Sequence, residues 1–310
     1  MNKISRRSLL KNTATAPAVA GLAGAGLGLD AAPSVDSALL AQKQTDPKFR
    51  IRNGRIKQSI MGWTFNPMPT PELARLSKEI GLVAMEGVSR QHYPLLRKLG
   101  LDVSLVGSHG FKKGPTDPAN HTECAAKLSE AIELCVDAGY KRVITFTGMT
   151  PNGMDAEQAE KNCVALWKKV LPLAEKKGVT LCLEHLNTRD DSHPMKGHPG
   201  YFGDDVDHCV RMIRKIDSPS FKLLFDVYHV QIMNGDVIRR IRDYKDVIGH
   251  YHTAGNPGRA ELDDTQEINY PAVMRAILET DYDGYVAQEF IPTWKDKDLA
   301  LRHAAQVCDV

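Results

Sequence analysis

Eight times between residue 56 and the C-terminus, a short apolar run of strand length precedes a longer segment in which apolar residues recur with the helical period. The runs have almost continuously apolar interiors, as in Val179-Thr180-Leu181-Cys182-Leu183, which is typical of strands buried on both faces of a parallel sheet. Eight such units favour one closed (β/α)8 barrel over an open doubly wound sheet. A barrel of this kind needs roughly 250 residues, and the 310 residues of this chain accommodate it.

The pattern also gives approximate bounds for each element. The strands are expected at 58–65, 82–87, 102–107, 142–146, 179–184, 222–226, 247–252 and 284–290. The helices are expected to open at Thr70 and then to cover 92–99, 120–138, 155–177, 204–216, 235–244, 270–279 and 297–308. No Gly-x-Gly-x-x-Gly follows the first strand, so a dinucleotide-binding fold gains no support.

The N-terminal segment is not expected to belong to the barrel. Ser5-Arg6-Arg7-Ser8-Leu9 precedes an uncharged stretch rich in Ala, Gly and Leu, and this order resembles a twin-arginine export signal. We therefore predict an export signal and the start of a linker at 1–38, a linker at 39–55 and the barrel at 56–310. The prediction implies the twin-arginine export machinery as a partner and a periplasmic or other extracytoplasmic location.

Charge and cysteine content narrow the range of functions. The net charge is +2, and four of the basic residues precede residue 33, so the remainder is close to neutral. A near-neutral body argues against a nucleic-acid partner. The six cysteines form no Cys-x-x-Cys pair and are expected to be small buried apolar residues. A homo-oligomer is compatible with the sequence, which does not specify one.

The last four predicted strands end in side chains that can ligate a metal. Glu184 ends the fifth strand and Asp226 the sixth, while His252 and Glu289 end the seventh and eighth. In a barrel these ends meet at one face, where such enzymes carry their chemistry. Three carboxylates and one imidazole suit Mg²⁺, Mn²⁺ or Co²⁺, and a cation would let the acids tolerate each other's charge. Each residue alone has an ordinary structural explanation, but four at equivalent positions indicate a metal site.

Several motifs in the second half of the chain carry a family resemblance. Asp226-Val227-Tyr228-His229, Asn256-Pro257-Gly258-Arg259 and Tyr282-Asp283-Gly284-Tyr285-Val286 are similar to motifs of the hydroxypyruvate isomerase family of xylose isomerase-like TIM barrels. The resemblance implies a divalent metal bound by Glu184, Asp226, His252 and Glu289. It further implies Glu184 and Glu289 as the catalytic acid/base pair, and His229, Arg259 and His109 as substrate-binding residues.

The chemistry fits these assignments. Moving a proton between two carbons beside a carbonyl needs a base, a group that returns the proton and a Lewis acid on the oxygens of the enediolate. Glu184 and Glu289 could shuttle the proton, and Arg259 could clamp a substrate carboxylate. The expected reaction is the interconversion of a small hydroxy-aldehyde and a hydroxy-ketone.

Two departures from the isomerase pattern leave the substrate open. His252 and His185 stand where the isomerases carry Gln and Pro, and a His at the seventh strand is usual in related ketose 3-epimerases. One alternative is therefore sugar 3-epimerisation at the same site, and another is a non-catalytic sugar- or metal-binding barrel. His250, two residues before His252 on the same side of the strand, is expected to support the metal site indirectly.

Overall fold

A computed structural model describes residues 37–310. The predicted export signal at 1–38 lies outside the described residues except for its last two positions. No helix among the described residues combines the length and apolar character needed to cross a bilayer.

Eight parallel strands form the barrel, each hydrogen-bonded to its neighbours in the order β3-β2-β1-β8-β7-β6-β5-β4. A parallel bridge between Val106 and Val143 joins the β3 and β4 sides, with Val106 N 2.9 Å from Arg142 O. The predicted (β/α)8 barrel is therefore confirmed. The strands are β1 (Lys57–Met61), β2 (Ala84–Glu86), β3 (Asp102–Val103), β4 (Arg142–Phe146), β5 (Thr180–Glu184), β6 (Phe221–Asp226), β7 (Ile248–Thr253) and β8 (Tyr285–Gln288).

Helices surround the barrel and cover its outer face. They are α1 (Ser37–Gln44), α2 (Thr70–Ile80), α3 (Tyr93–Leu99), α4 (His121–Ala138), α5 (Ala156–Lys177), α6 (Val206–Ile216), α7 (Val227–Met233), α8 (Val237–Asp243), α9 (Tyr270–Leu278) and α10 (Lys297–Cys308). Capping side chains fix the start of several helices. Asp155 and Asp296 accept hydrogen bonds from backbone N–H groups in the first turns of α5 and α10. Gly178 ends α5 at a φ of 65°, a left-handed conformation that glycine adopts without steric penalty.

The helices pack on the strands through their apolar faces. Trp167 of α5 is fully buried, and its ring lies 4.8 Å from that of Phe221 at the start of β6. Burying side chains of this size stabilises the fold by roughly 1.5–3 kcal/mol each. The six cysteines are all free and buried, as their apolar surroundings in the sequence indicated.

Two segments differ from the predicted elements. The expected first strand ends early, because Gly62–Phe65 forms a 3-10 turn. Helix α7 follows β6 without a loop, where no helix was predicted before residue 235. Asp226 explains it: its side chain accepts hydrogen bonds from the backbone N–H groups of Tyr228 and His229 and so caps α7.

The segment 39–55 is not the flexible linker that the sequence indicated. Its first residues belong to α1, and Ala41 is buried. The Asp309 carboxylate after α10 accepts hydrogen bonds from the backbone N–H groups of Arg52, Asn53 and Gly54, and Arg302 donates to the Phe49 carbonyl at 2.9 Å. The partners lie more than 250 positions away in the sequence, which is why local composition did not reveal them.

Candidate metal centre

The strand topology brings the four predicted ligands to one face of the barrel. Glu184 and Asp226 are the last residues of β5 and β6, and Glu289 directly follows β8. Asp226 and His252 face each other in the register of β6 and β7. All four side chains are buried, with at most 4% of the residue surface exposed. The carboxyl ends of parallel strands thus converge as the sequence indicated.

The donor atoms of these residues converge on one another. One ligand atom from each lies within 4.8 Å of those of the other three. The imidazole Nδ1 of His252 is 2.7 Å from Glu289 Oε2, 3.3 Å from Glu184 Oε1 and 4.0 Å from Asp226 Oδ2. Yet His252 Nδ1, Glu184 Oε1 and Glu289 Oε2 have no hydrogen-bond partner of acceptable geometry.

This arrangement fits a divalent metal. Buried polar atoms without partners are costly to a folded protein, and metal ligation would satisfy these three atoms. An oxygen-rich set with one imidazole matches the preferences of Mg²⁺, Mn²⁺ and Co²⁺. The residues therefore form a candidate site for the metal that the sequence analysis anticipated.

The electrostatics of the cluster lead to the same conclusion. Burial and the nearby Glu289 raise the pKa of Asp226 to about 7, and burial also raises the pKa of Glu184. Burial opposes the ionisation of Glu289, but Arg259 and His252 hold its pKa below the usual range. Asp226 and Glu184 thus resist ionisation beside the ionised Glu289, and a cation between the three carboxylates would let all of them carry a charge.

A fourth buried carboxylate, Glu86, lies beside this cluster, and the strand-end pattern had not been used to predict it. Glu86 ends β2, with Oε1 2.7 Å from His252 Nε2 and Oε2 2.9 Å from His250 Nε2. Ser104 Oγ donates to the same Oε2 at 2.5 Å. Burial disfavours ionisation of Glu86, but the two imidazoles hold its pKa well below the usual range. The signal was present in the sequence, since Ala84-Met85-Glu86 also ends a predicted strand in a carboxylate.

Arg259 reaches the cluster from the loop that follows β7. Its Nη2 lies 2.7 Å from Glu289 Oε2 and 3.7 Å from Asp226 Oδ2, and its Nη1 donates to the Met195 carbonyl. The guanidinium carbon is 5.6 Å from the ring centroids of both Trp63 and Tyr228. The residue is 2% exposed, so Arg259 contributes a buried positive charge beside two of the candidate ligands.

His229 lies beside the cluster in a defined tautomer. Its Nδ1 accepts hydrogen bonds from Asn187, at 2.7 Å from the side-chain Nδ2 and 3.1 Å from the backbone N. The ring proton is therefore assigned to Nε2, which lies 3.6 Å from Asp226 Oδ2 and has no hydrogen-bond partner. Burial and the charge of Arg259 hold the pKa of His229 well below its usual value. A neutral N–H donor thus faces the centre.

His109 lies on the other side of the barrel mouth. It lines a cavity of about 260 Å³ together with Trp63, Glu86 and Phe146. Its Nε2 is 2.9 Å from Thr145 Oγ1, and burial lowers its pKa to about 4. Among the three residues predicted to bind substrate, Arg259 and His229 thus adjoin the four-residue cluster, while His109 lines the same cavity as Glu86.

Comparison with known proteins gives a consistent family assignment. The sequence model of the family described as "Xylose isomerase-like TIM barrel" matches residues 88–308. A putative hydroxypyruvate isomerase of Danio rerio is 25% identical over 75% of this chain and 88% of its own length. A 2-oxo-tetronate isomerase of Cupriavidus necator is 31% identical over 56% of this chain and 64% of its own length.

Solved structures agree with the fold. An AP endonuclease of family 2 from Brucella melitensis superposes with a TM-score of 0.69 at 23% identity, over 79% of this chain and 95% of the other. An L-ribulose 3-epimerase superposes with a TM-score of 0.67 at 19% identity, over 81% and 92%. At these identities the likeness concerns the barrel architecture alone.

Proposed function

Because this chain belongs to the xylose isomerase-like TIM barrel family, we propose that it is a metal-dependent isomerase interconverting a small hydroxy-aldehyde and a hydroxy-ketone. The chain is an isomerase, the class that its curated relatives share. The proposal concerns the substrate type, the metal and the mechanism. The observation that carries it is the convergence of Glu184 and Glu289 on His252 Nδ1, at 3.3 and 2.7 Å.

In the proposed mechanism the two glutamates move the proton. Glu184 and Glu289 extend from the ends of β5 and β8, so their carboxylates reach the same point from two strands that β6 and β7 separate. One would remove the proton from the substrate carbon, and the other would return a proton to the neighbouring carbon. A divalent metal held by Glu184, Asp226, His252 and Glu289 would polarise the carbonyl and stabilise the charge of the enediolate.

The neighbouring residues would orient the substrate. The Nε2–H of His229 is a neutral donor without a partner, suited to a hydroxyl or carbonyl oxygen of the substrate. Arg259 also has a free donor, since its Nε lacks a partner. Trp63 and Tyr228 enclose the guanidinium and would keep water away from the reacting carbons.

The test uses isosteric substitutions of the acid/base pair. Glu184→Gln and Glu289→Gln should each lower kcat by about 10²–10⁴-fold, because an amide cannot transfer the proton. Chelation with EDTA should abolish turnover of the unmodified protein, and Mn²⁺ should restore it. Glu261→Gln is the matched control, since Glu261 is a 2% exposed carboxylate that accepts hydrogen bonds from Thr293 and Trp294 and is not one of the converging ligands. Full activity in either glutamate variant would refute the two-glutamate mechanism.

A ketose 3-epimerase is the second candidate. It is supported by the place of His252 in the ligand cluster, since a histidine at the end of the seventh strand is usual in related ketose 3-epimerases. Product analysis on ketoses and on hydroxypyruvate separates the two reactions, because an epimerase returns a ketose inverted at one carbon. Mn²⁺ binding without turnover of either substrate class would favour a non-catalytic binding barrel.

Export through the twin-arginine pathway is a further proposal, resting on Arg6-Arg7 and the uncharged stretch after it. Fusion of the first 38 residues to a reporter that is active only outside the cytoplasm tests it. Arg6→Lys combined with Arg7→Lys should abolish export. An unchanged signal from that variant would contradict the proposal.

A further inference from the structure

Glu86 occupies an unusual place for a charged residue. It is 1% exposed, and β1 and β8 separate its strand β2 from β7 in the sheet. Nevertheless its two carboxylate oxygens contact both histidines of β7, at 2.7 Å for His252 and 2.9 Å for His250. The side chain thus connects two non-adjacent strands through the interior of the barrel.

Stability alone does not account for such a residue. A carboxylate loses several kcal/mol of hydration on burial, and apolar residues of similar volume often replace buried ions without loss of stability. The interior of a (β/α)8 barrel is ordinarily filled by branched apolar side chains. The three donors around Glu86, from His250, His252 and Ser104, make its burial tolerable, but they do not explain why a carboxylate stands there.

Hydrogen-bond chemistry gives an explanation. An ionised carboxylate only accepts hydrogen bonds, so both Nε2 atoms that face it must carry protons. A neutral imidazole protonated at Nε2 has its lone pair on Nδ1, and Nδ1 of His252 is the atom that faces Glu184, Asp226 and Glu289. His250 and Ser104 hold the other oxygen, Oε2, which fixes the plane of the carboxylate.

We propose that Glu86 is a positioning residue for the metal centre, holding His252 in the tautomer and ring orientation that present Nδ1 to the ion. The inference rests on the metal site of the proposed function and extends it to a carboxylate that does not itself reach the four-residue cluster. Carboxylates that orient a ligating imidazole commonly change metal affinity by 10–100-fold when they are removed.

The first test measures Mn²⁺ binding by isothermal titration calorimetry on metal-free protein. The unmodified chain should bind one Mn²⁺, and Glu86→Leu should weaken binding by about 10–100-fold with the stoichiometry unchanged. Gln58→Leu is the matched control, because Gln58 is also 1% exposed but lies between the barrel and α10, where its side chain bonds to Ala305 and Gln288. The Gln58→Leu variant should be less stable than the unmodified chain but should bind Mn²⁺ with the same affinity. Equal affinity in Glu86→Leu and the unmodified chain would overturn the proposal.

A second measurement covers the case in which Glu86→Leu does not fold. Glu86→Gln places an amide N–H₂ against one of the two imidazoles, so that ring must move its proton to Nδ1. Nitrogen-15 NMR of the histidine rings in the metal-free protein should show a proton on Nε2 of both rings in the unmodified chain and a proton displaced from Nε2 of at least one ring in the variant. Unchanged tautomers of both rings would refute the positioning role.

The outcomes separate this inference from the proposed function. If the unmodified chain binds no Mn²⁺, the metal site of the proposed function fails, whereas the NMR experiment still reports whether Glu86 sets the tautomers. Two Mn²⁺ per chain, falling to one in Glu86→Leu, would overturn the positioning role, because Glu86 would then be a ligand of a second ion together with His250 and His252.

Discussion

The guanidinium of Arg259 lies 2.7 Å from Glu289, through Nη2 and Oε2, and the same nitrogen lies 3.7 Å from Asp226 Oδ2. Arg259 therefore balances part of the negative charge of the candidate ligands from inside the protein. A divalent ion at the same cluster would balance that charge as well. The contribution of Arg259 to stability should consequently depend on whether the metal is bound.

Arg259→Met tests this dependence. In metal-free protein the variant removes the guanidinium from Glu289, and breaking a buried pair typically lowers the free energy of unfolding by about 3–5 kcal/mol. Saturating Mn²⁺ should restore a substantial part of that loss. Urea denaturation with and without Mn²⁺ measures both values.

Arg302→Met is the control for this prediction. Arg302 is 3% exposed and pairs with Glu79 and Asp298 on the outside of the barrel. Its loss of stability should be the same with and without Mn²⁺. If Arg259→Met behaved like Arg302→Met, the charge-balancing role would be wrong.

The sequence predicted those parts of the structure that repeat or that follow directly from strand ends. Eight apolar runs predicted the barrel, and the ligand residues at the ends of four of these runs predicted the cluster. The reason is that the carboxyl ends of parallel barrel strands all lie at one face. Glu86 is also the last residue of a parallel strand, β2. It was missed because its partners, His250 and His252, lie more than 160 positions away and only the closed barrel brings them together.

Other features could not be predicted for the same physical reason. Residues 39–55 are held against the barrel by hydrogen bonds to Asp309 and Arg302 near the C-terminus. The tautomer of His229 depends on Asn187, which reaches it from the loop after β5. Local propensity and periodicity contain no information on such pairs, since each partner alone is an ordinary polar residue.

Metal binding should raise the thermal stability of the protein. A ligand that binds only the folded state at a free concentration of 100 times its Kd stabilises by about 2.7 kcal/mol. For a domain of this size each kcal/mol corresponds to a Tm increase of about 2–4 °C. Differential scanning calorimetry with Mn²⁺ measures the increase. Glu184→Gln should diminish it, because Glu184 Oε1 is one of the converging atoms; an equal increase in that variant would exclude Glu184 as a ligand.

Asn187 should control substrate binding through His229. Asn187→Asp keeps the shape of the side chain but replaces the nearer of the two N–H donors to His229 Nδ1 with a carboxylate oxygen, which draws the imidazole proton to Nδ1 and away from Nε2. Losing one such hydrogen bond to the substrate corresponds to about 1–3 kcal/mol, so kcat/KM should fall by about 10–100-fold. Mn²⁺ affinity should stay unchanged, because His229 is not one of the four candidate ligands.

Asn162→Asp is the control for the introduced carboxylate. Asn162 is a buried residue of α5 whose side chain donates to the Thr116 carbonyl, away from the metal centre. It should lower stability and leave kcat/KM unaffected. Equal kinetic losses in the two variants would show that Asn187 acts only through the fold.

His109 should make the protein sensitive to acid. Burial lowers its pKa to about 4, against about 6.5 in an unfolded chain. The neutral ring is favoured by the folded state, so its stabilising contribution is complete above pH 6.5 and is lost as the pH falls from 6.5 towards 4. That difference in pKa corresponds to about 3 kcal/mol.

Urea denaturation between pH 7.5 and 4.5 should therefore give a shallower loss of stability in His109→Gln than in the unmodified protein. The exposed His193 provides the control variant His193→Gln, which isolates the effect of burial. Parallel pH profiles for His109→Gln and the unmodified protein would mean that His109 charges without resistance from the fold, contrary to its buried place between Thr145 and the cavity.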